Sequence, residues 1–288
     1  MHPLPDSWKN LYGSVLQLLN GIEEKESIAK ILIEEETGES KSKLFWREDF
    51  EFDIEKWNLL QLKIKRLILG EPLQHVLGYA YFRDFKLKVN PYVLIPRPET
   101  EELVELAIKH KSQFKKAIDF CTGGACIAIA LHKANKNATI LASDWSDKAM
   151  QTAQENIDLN CNEEHKPQIF KHDLLGNEYL SKETDFDLIV SNPPYIHVSE
   201  AQEMHASVLD FEPTMALFAP DSDVLLFYKK LIWQAKTQLV KKGELWAEIN
   251  PLFVSSLKEF ALHEFPEFEH SFLEDMQGKL RFWRAIKN

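Results

Sequence analysis

Ala117-Ile118-Asp119-Phe120-Cys121-Thr122-Gly123-Gly124-Ala125 is a short apolar run that ends on a glycine-bearing turn, and a helical pattern over 125–136 starts directly after it. Such a run reads as a buried strand feeding a helix. Working outward toward the C-terminus, similar runs recur at 139–144, 168–173, 186–192 and 244–250, with helical stretches at 147–160, 223–241 and 251–264. Strands alternating with helices predict an α/β fold with a parallel sheet. The end of the chain departs from that rule. The runs at 269–275 and 279–287 are separated only by Met276-Gln277-Gly278, too short for a crossover helix and right for an antiparallel hairpin. The expected sheet is therefore mostly parallel, with its last strand antiparallel.

Toward the N-terminus the period changes. Trp8, Leu11, Tyr12, Val15, Leu18, Leu19 and Ile22 fall at spacings of three and four, as do Ile28, Ile31 and Leu32, and then Trp57, Leu60, Ile64, Leu67 and Ile68. Gly70 and Pro72 supply a stop. Residues 1–72 are expected to form a small helical bundle. Phe85, Leu87 and Val89 then alternate with Lys86, Lys88 and Asn90 after a turn at Arg83-Asp84, which predicts a β-hairpin in a linker over 73–90. The α/β domain occupies 91–288. Its first helix is announced by Pro96-Arg97-Pro98-Glu99-Thr100-Glu101-Glu102, where the prolines hold the backbone extended and the carboxylates match a helix N-terminus.

Composition narrows the function classes. The 288 residues are 44% hydrophobic and 27% charged, with 10 Gly and 13 Pro, which excludes disordered and low-complexity classes. No apolar run approaches the roughly 18 residues of a spanning helix, and the first ten residues lack a basic-then-apolar leader. A soluble, cytoplasmic protein without membrane contact is expected. The three cysteines, Cys121, Cys126 and Cys161, form no CxxC pair, so neither a disulfide framework nor a metal site is expected. With 34 basic and 45 acidic residues the net charge is −11, which disfavours direct nucleic-acid binding through phosphate neutralisation.

The candidate site lies at the strand ends. Glycines after the first strand let a ligand approach bare backbone at a helix N-terminus. Asp144 ends the second strand some 20 residues on, where a carboxylate can take both hydroxyls of a ribose or merely cap the next helix. Asp173, at the end of the third strand, can accept from the amino group of an adenine while Leu174 covers its ring; a turn cap is the alternative. The most specific signal is Ser191-Asn192-Pro193-Pro194-Tyr195 after the fourth strand. Two prolines stiffen the loop and remove donors, so that the Asn192 side-chain oxygen and the Pro193 carbonyl can accept from one planar NH₂ group, with Tyr195 stacked on its plane. An adenine amine and a glutamine carboxamide both meet that description.

Taken with Glu71-Pro72-Leu73-Gln74-His75 and the N-terminal helices, these motifs resemble the protein-glutamine methyltransferases of the HemK/PrmC family, which modify peptide chain release factors. The resemblance covers the whole chain. It implies a Rossmann-like class I methyltransferase domain and S-adenosylmethionine as donor, leaving as S-adenosylhomocysteine, with no metal. It further implies that Cys121, Thr122, Gly123, Gly124, Ala125, Asp144, Asp173, Leu174, Asn192 and Thr100 hold the donor. Asn192, Pro193, Pro194 and Tyr195 would grip and orient the glutamine of a Gly-Gly-Gln loop, in a monomeric enzyme whose bundle recognises the factor. The chain departs from the family at Cys121 and Ala125, where glycine is usual. Rival readings are a ribosomal-protein glutamine methyltransferase, an adenine amino-methyltransferase on DNA or RNA, a non-catalytic adaptor, and a nicotinamide-dependent oxidoreductase, the last lacking a full glycine fingerprint.

Overall fold

The computed structural model describes residues 3–46, 49–161, 165–176 and 184–288. Residues 1–2 and 47–48 of the expected bundle lie outside them. Two compact units divide at Leu77/Gly78.

The N-terminal unit is helical, with helices Trp8–Leu18, Lys25–Thr37, Lys41–Phe45, Ile54–Ile68 and Leu73–Leu77. Ser7 and Asp53 cap the first and fourth by accepting from Asn10 N and Lys56 N. Leu11, Val15, Leu19, Leu32, Trp57, Leu60 and Ile64 form its core. Two residues of the predicted stripes, Ile31 and Ile68, are exposed instead, because the buried face of each helix is narrower than the apolar stripe. The unit runs five residues past 72 because Arg66 pairs with both Glu71 oxygens, at 2.7 and 2.6 Å, and donates to the His75 carbonyl at 3.1 Å, holding the short fifth helix onto the fourth.

The second unit opens with the expected hairpin, β1 (Tyr79–Phe82) and β2 (Phe85–Lys88), with Arg83 at φ +54° in the turn. This hairpin is part of the α/β unit. Asn156 accepts from Lys88 N at 2.7 Å and donates to Lys88 O at 3.0 Å, and Asn160 donates to Lys86 O at 2.9 Å, so side chains of one helix satisfy the free edge of β2.

Seven further strands follow: β3 (Lys116–Phe120), β4 (Thr139–Asp144), β5 (Gln168–Lys171), β6 (Phe186–Ser191), β7 (Leu239–Glu248), β8 (Phe268–Glu274) and β9 (Leu280–Lys287). They form one sheet in the order β5-β4-β3-β6-β7-β9-β8. Pairings from β5 through β7 are parallel, and β9 runs antiparallel to both neighbours. The mostly parallel sheet with an antiparallel last strand is thus the observed architecture. The last strand sits inside β8 because the hairpin folds back between β7 and the edge.

The central strands are buried on both faces, as helices on each side require. On one face Ala117, Leu188 and Val190 meet helices Pro98–His110, Cys126–Ala134 and Asp147–Asn160 through Leu103, Ile127, Leu131 and Ile157. On the other, Ile118, Phe120 and Ile189 meet helices Leu226–Gln238 and Val254–Glu264 through Leu231, Ile232 and Leu257. Each fully buried Leu or Ile stabilises by roughly 1.5–3 kcal/mol. The consequence is a rigid floor from which the loops at the strand C-termini project.

Candidate active site

The sheet order reverses between β3 and β6, where adjacent strands send their connections to opposite faces, and a crevice opens beyond their C-terminal ends. A cavity of about 460 Å³ lies there, within the range of roughly 300–1,000 Å³ usual for small-molecule sites. Of the expected residues, Thr100, Cys121, Thr122, Gly123, Gly124, Asp144, Asp173, Leu174, Asn192 and Pro194 line it. Three stand outside. Ala125 is fully buried in the core, Pro193 is buried within the loop, and the ring of Tyr195 packs against the second core cluster, so it does not stack on a group in the cavity.

The glycine turn is built for close approach. Cys121, Gly123 and Ala125 have φ of +57°, +52° and +65°, the left-handed region that glycine enters without cost. This explains why glycine is usual where this chain has Cys121 and Ala125. The Ala125 methyl points into the core, so it leaves the cavity unobstructed. A Cβ added at Gly123 would meet nothing within 4 Å, leaving room for a ligand against its backbone.

Asp144 closes this turn from β4: Oδ2 accepts from Gly123 N and Oδ1 from Ser146 N, both at 2.9 Å. Ser146, not Asp144, caps the following helix. A carboxylate offers about four acceptor positions, so Asp144 retains capacity for two hydroxyls. Burial raises its pKa, opposed by those backbone donors. Asp173 lies two residues past the end of β5, where Oδ1 accepts from Leu175 N at 2.9 Å in a turn. Its predicted position as the last strand residue is corrected accordingly: pairing with β4 ends at Lys171.

Behind the loop after β6 runs a chain of hydrogen bonds that ends on the buried Glu248. Asn192 Nδ2 donates to Thr100 Oγ1 at 2.9 Å, Thr100 donates to Glu248 Oε2 at 2.8 Å, and the Tyr195 hydroxyl donates to Glu248 Oε1 at 2.8 Å. Asn250 donates to the Tyr195 carbonyl at 3.1 Å. The loop is therefore pinned to the end of β7 by both the side chain and the backbone of Tyr195. Asn192 Oδ1 has no protein partner among the described residues. Burial pushes the Glu248 carboxyl above its ordinary range, while the two hydroxyls and the Arg281 charge pull it back. Burial beside Glu248 likewise raises the Tyr195 phenol.

The sequence reading missed Glu248. Its signal was a lone carboxylate in the apolar run Leu245-Trp246-Ala247-Glu248-Ile249, a position that demands a partner. It also missed Glu212, which accepts from Ile95 N at 3.0 Å and from Arg97 at 2.5 Å and ties the turn before Pro213 to the Pro96–Pro98 segment. Tyr92, Trp145, His172, Met215 and Phe227 complete the apolar walls.

Both units are similar to parts of known proteins. The methyltransferase small domain profile matches residues 100–210, and the PrmC N-terminal domain profile matches residues 15–78. A release factor glutamine methyltransferase of Flavobacterium psychrophilum is 43% identical over 200 residues, covering 68% of this chain and 67% of that protein. The Lactococcus lactis release factor glutamine methyltransferase is 38% identical over 251 residues, covering 82% of this chain and 90% of its own. The chain belongs to the release factor glutamine methyltransferase family. Among solved structures, the hMettl16 catalytic domain, in complex with a MAT2A 3′UTR hairpin, is similar in fold, with TM-score 0.53 at 18% identity over 80% of this chain and 82% of that one. No described helix is long and apolar enough to cross a membrane.

Proposed function

We propose that this chain, acting as a single copy, methylates the side-chain amide nitrogen of the glutamine in the Gly-Gly-Gln motif of a peptide chain release factor, using S-adenosylmethionine, and so modulates translation termination. The donor, when bound, supplies an electrophilic methyl on sulfonium sulfur. The residues present fit it. Asp144 has acceptor capacity for the ribose hydroxyls, the backbone at Gly123 is open to close approach, and Asp173 with Leu174 suits an adenine.

The observation that carries the reading is Asn192 on the cavity wall, with its NH₂ engaged by Thr100 and its Oδ1 left without a protein partner among the described residues. An amide nitrogen is a poor nucleophile because resonance occupies its lone pair. A hydrogen bond from one of its N–H groups to Asn192 Oδ1 places a negative dipole beside the nitrogen and fixes its direction of attack. Such positioning and charge stabilisation are each worth several kcal/mol in enzymes generally. Pro194, on the wall, keeps the grip rigid. The net charge of −11 supports a protein substrate over DNA or RNA.

In a test, Asn192→Ala lowers kcat about 100-fold or more while the dissociation constant for S-adenosylmethionine stays within about threefold by calorimetry. Near-normal turnover in this variant would refute the grip. Methyl incorporation into nucleic acid in place of release factor would favour the adenine alternative.

A further inference from the structure

We infer that Glu248 is a positioning residue that decides which end of the Asn192 amide faces the cavity, acting through the Thr100 hydroxyl. The inference rests on the reading of Asn192 as the acceptor for the substrate amide and adds the device that keeps it an acceptor.

A carboxylate has no hydrogen to give. Both hydroxyls that touch Glu248, Thr100 at 2.8 Å and Tyr195 at 2.8 Å, must therefore act as donors toward it. Thr100 has one proton, and it is spent on Glu248. Toward Asn192, 2.9 Å away, Thr100 then has only lone pairs to offer. The Asn192 side chain must answer with its NH₂, which directs Oδ1 elsewhere. Asn192 and Thr100 both line the cavity; Glu248, 1% exposed, does not. Without the carboxylate, Thr100 could donate to Asn192, and the amide could turn over at little cost and present donors where the substrate also has donors.

This gives Glu248 a job that packing alone does not explain. A buried carboxylate is costly, and this one is met by two hydroxyl donors. The polar chain also links three separate elements: the first turn of helix Pro98–His110, the loop after β6 and the end of β7. The orientation of one amide is thus fixed from behind, by a carboxylate that does not line the cavity. Removing the proton bookkeeping while keeping shape should therefore damage catalysis more than binding.

The test is a set of full-length variants assayed on a purified release factor. Glu248→Gln, whose amide can face Thr100 as a donor, is expected to lose about 10- to 100-fold in kcat, with KM for the factor and affinity for S-adenosylmethionine each changed less than about threefold. The double variant Asn192→Ala with Glu248→Gln should be no slower than Asn192→Ala alone, because Glu248 acts only through Asn192. Losses that multiply in the double variant would overturn the proposal in favour of a general structural role. Wild-type turnover in Glu248→Gln beside a disabled Asn192→Ala would overturn it while leaving the amide grip intact. Wild-type turnover in Asn192→Ala would remove the grip itself. If Glu248→Gln fails to fold, Thr100→Val serves: it keeps the shape, loses the relay and should match the expected loss, with Thr100→Ser about tenfold faster than it. Thr100→Val at wild-type kcat would overturn the proposal.

Discussion

Asp119 sits at the end of β3, fully buried, with Oδ2 accepting from Thr122 Oγ1 at 2.5 Å and from Ala128 N at 3.2 Å, and with Oδ1 unpartnered. Burial, with the Asp144 charge behind it, pushes its pKa up to about 8 against the opposing pull of those two donors. A folded-state pKa above the unfolded value means that the native protein holds a proton which the unfolded chain releases. The stability from this group is complete below the ordinary carboxylate value of 3.8 and is lost as pH rises toward about 8. Asp119→Asn, which cannot ionise, should therefore gain on the wild type in melting temperature between pH 5 and 8. Parallel curves across that window would show that Asp119 ionises normally. Ala125 carries a second cost, a left-handed backbone at φ +65°. Glycine there would relieve strain of roughly 1–2 kcal/mol but give up a buried methyl worth about 0.8 kcal/mol and some chain entropy, so Ala125→Gly should change stability by less than about 1 kcal/mol in urea unfolding.

The strands and helices of the α/β unit were largely legible because burial and periodicity coincide there. Helix Asp147–Asn160 starts and ends where its polar caps and apolar spacing place it, and the brevity of the 276–278 turn forces the antiparallel return of β9. The segment from Ile196 to Leu225 was not legible. Its short helices Ala206–Phe211 and Thr214–Leu217 have little amphipathic pattern, and they are placed by tertiary bonds such as Glu212 to Ile95 N and Arg97, partners more than a hundred residues away. The site divides the same way. Asn192, Asp144 and the glycine turn are local motifs, whereas Glu248 acquires meaning only when β7 lies beside β6. Tyr195 was assigned to the cavity because aromatic rings stack on planar groups, but its hydroxyl is drawn to Glu248. From the Glu212 link comes a prediction. Its side chain is 1% exposed while that of Arg97 is 31% exposed, so Glu212→Ala leaves a partly solvated cation and an unpaired N–H. The cost should be about 2–3 kcal/mol in urea unfolding, with weaker donor binding because Arg97 and Pro213 both line the cavity. A change under about 0.5 kcal/mol would mean that the link is not under load.

The molecule as a whole joins a chemical unit with its own two-faced core to a helical unit that has a separate core. We assign the helical unit to recognition of the release factor away from the Gly-Gly-Gln loop, a second contact that raises effective concentration without touching chemistry. Deleting residues 1–77 should then raise KM for the intact factor about tenfold or more, while KM for a short Gly-Gly-Gln peptide stays within about twofold. Equal increases for both would assign the unit a stabilising role. In the proposed reaction the Asn192 loop receives a glutamine carboxamide. The most direct measurement is mass spectrometry of a purified release factor after incubation with this enzyme and S-adenosylmethionine. A single gain of about 14 Da on the side chain of the Gly-Gly-Gln glutamine is expected; an unmodified factor, or a methyl on any other residue, would overturn the proposed reaction.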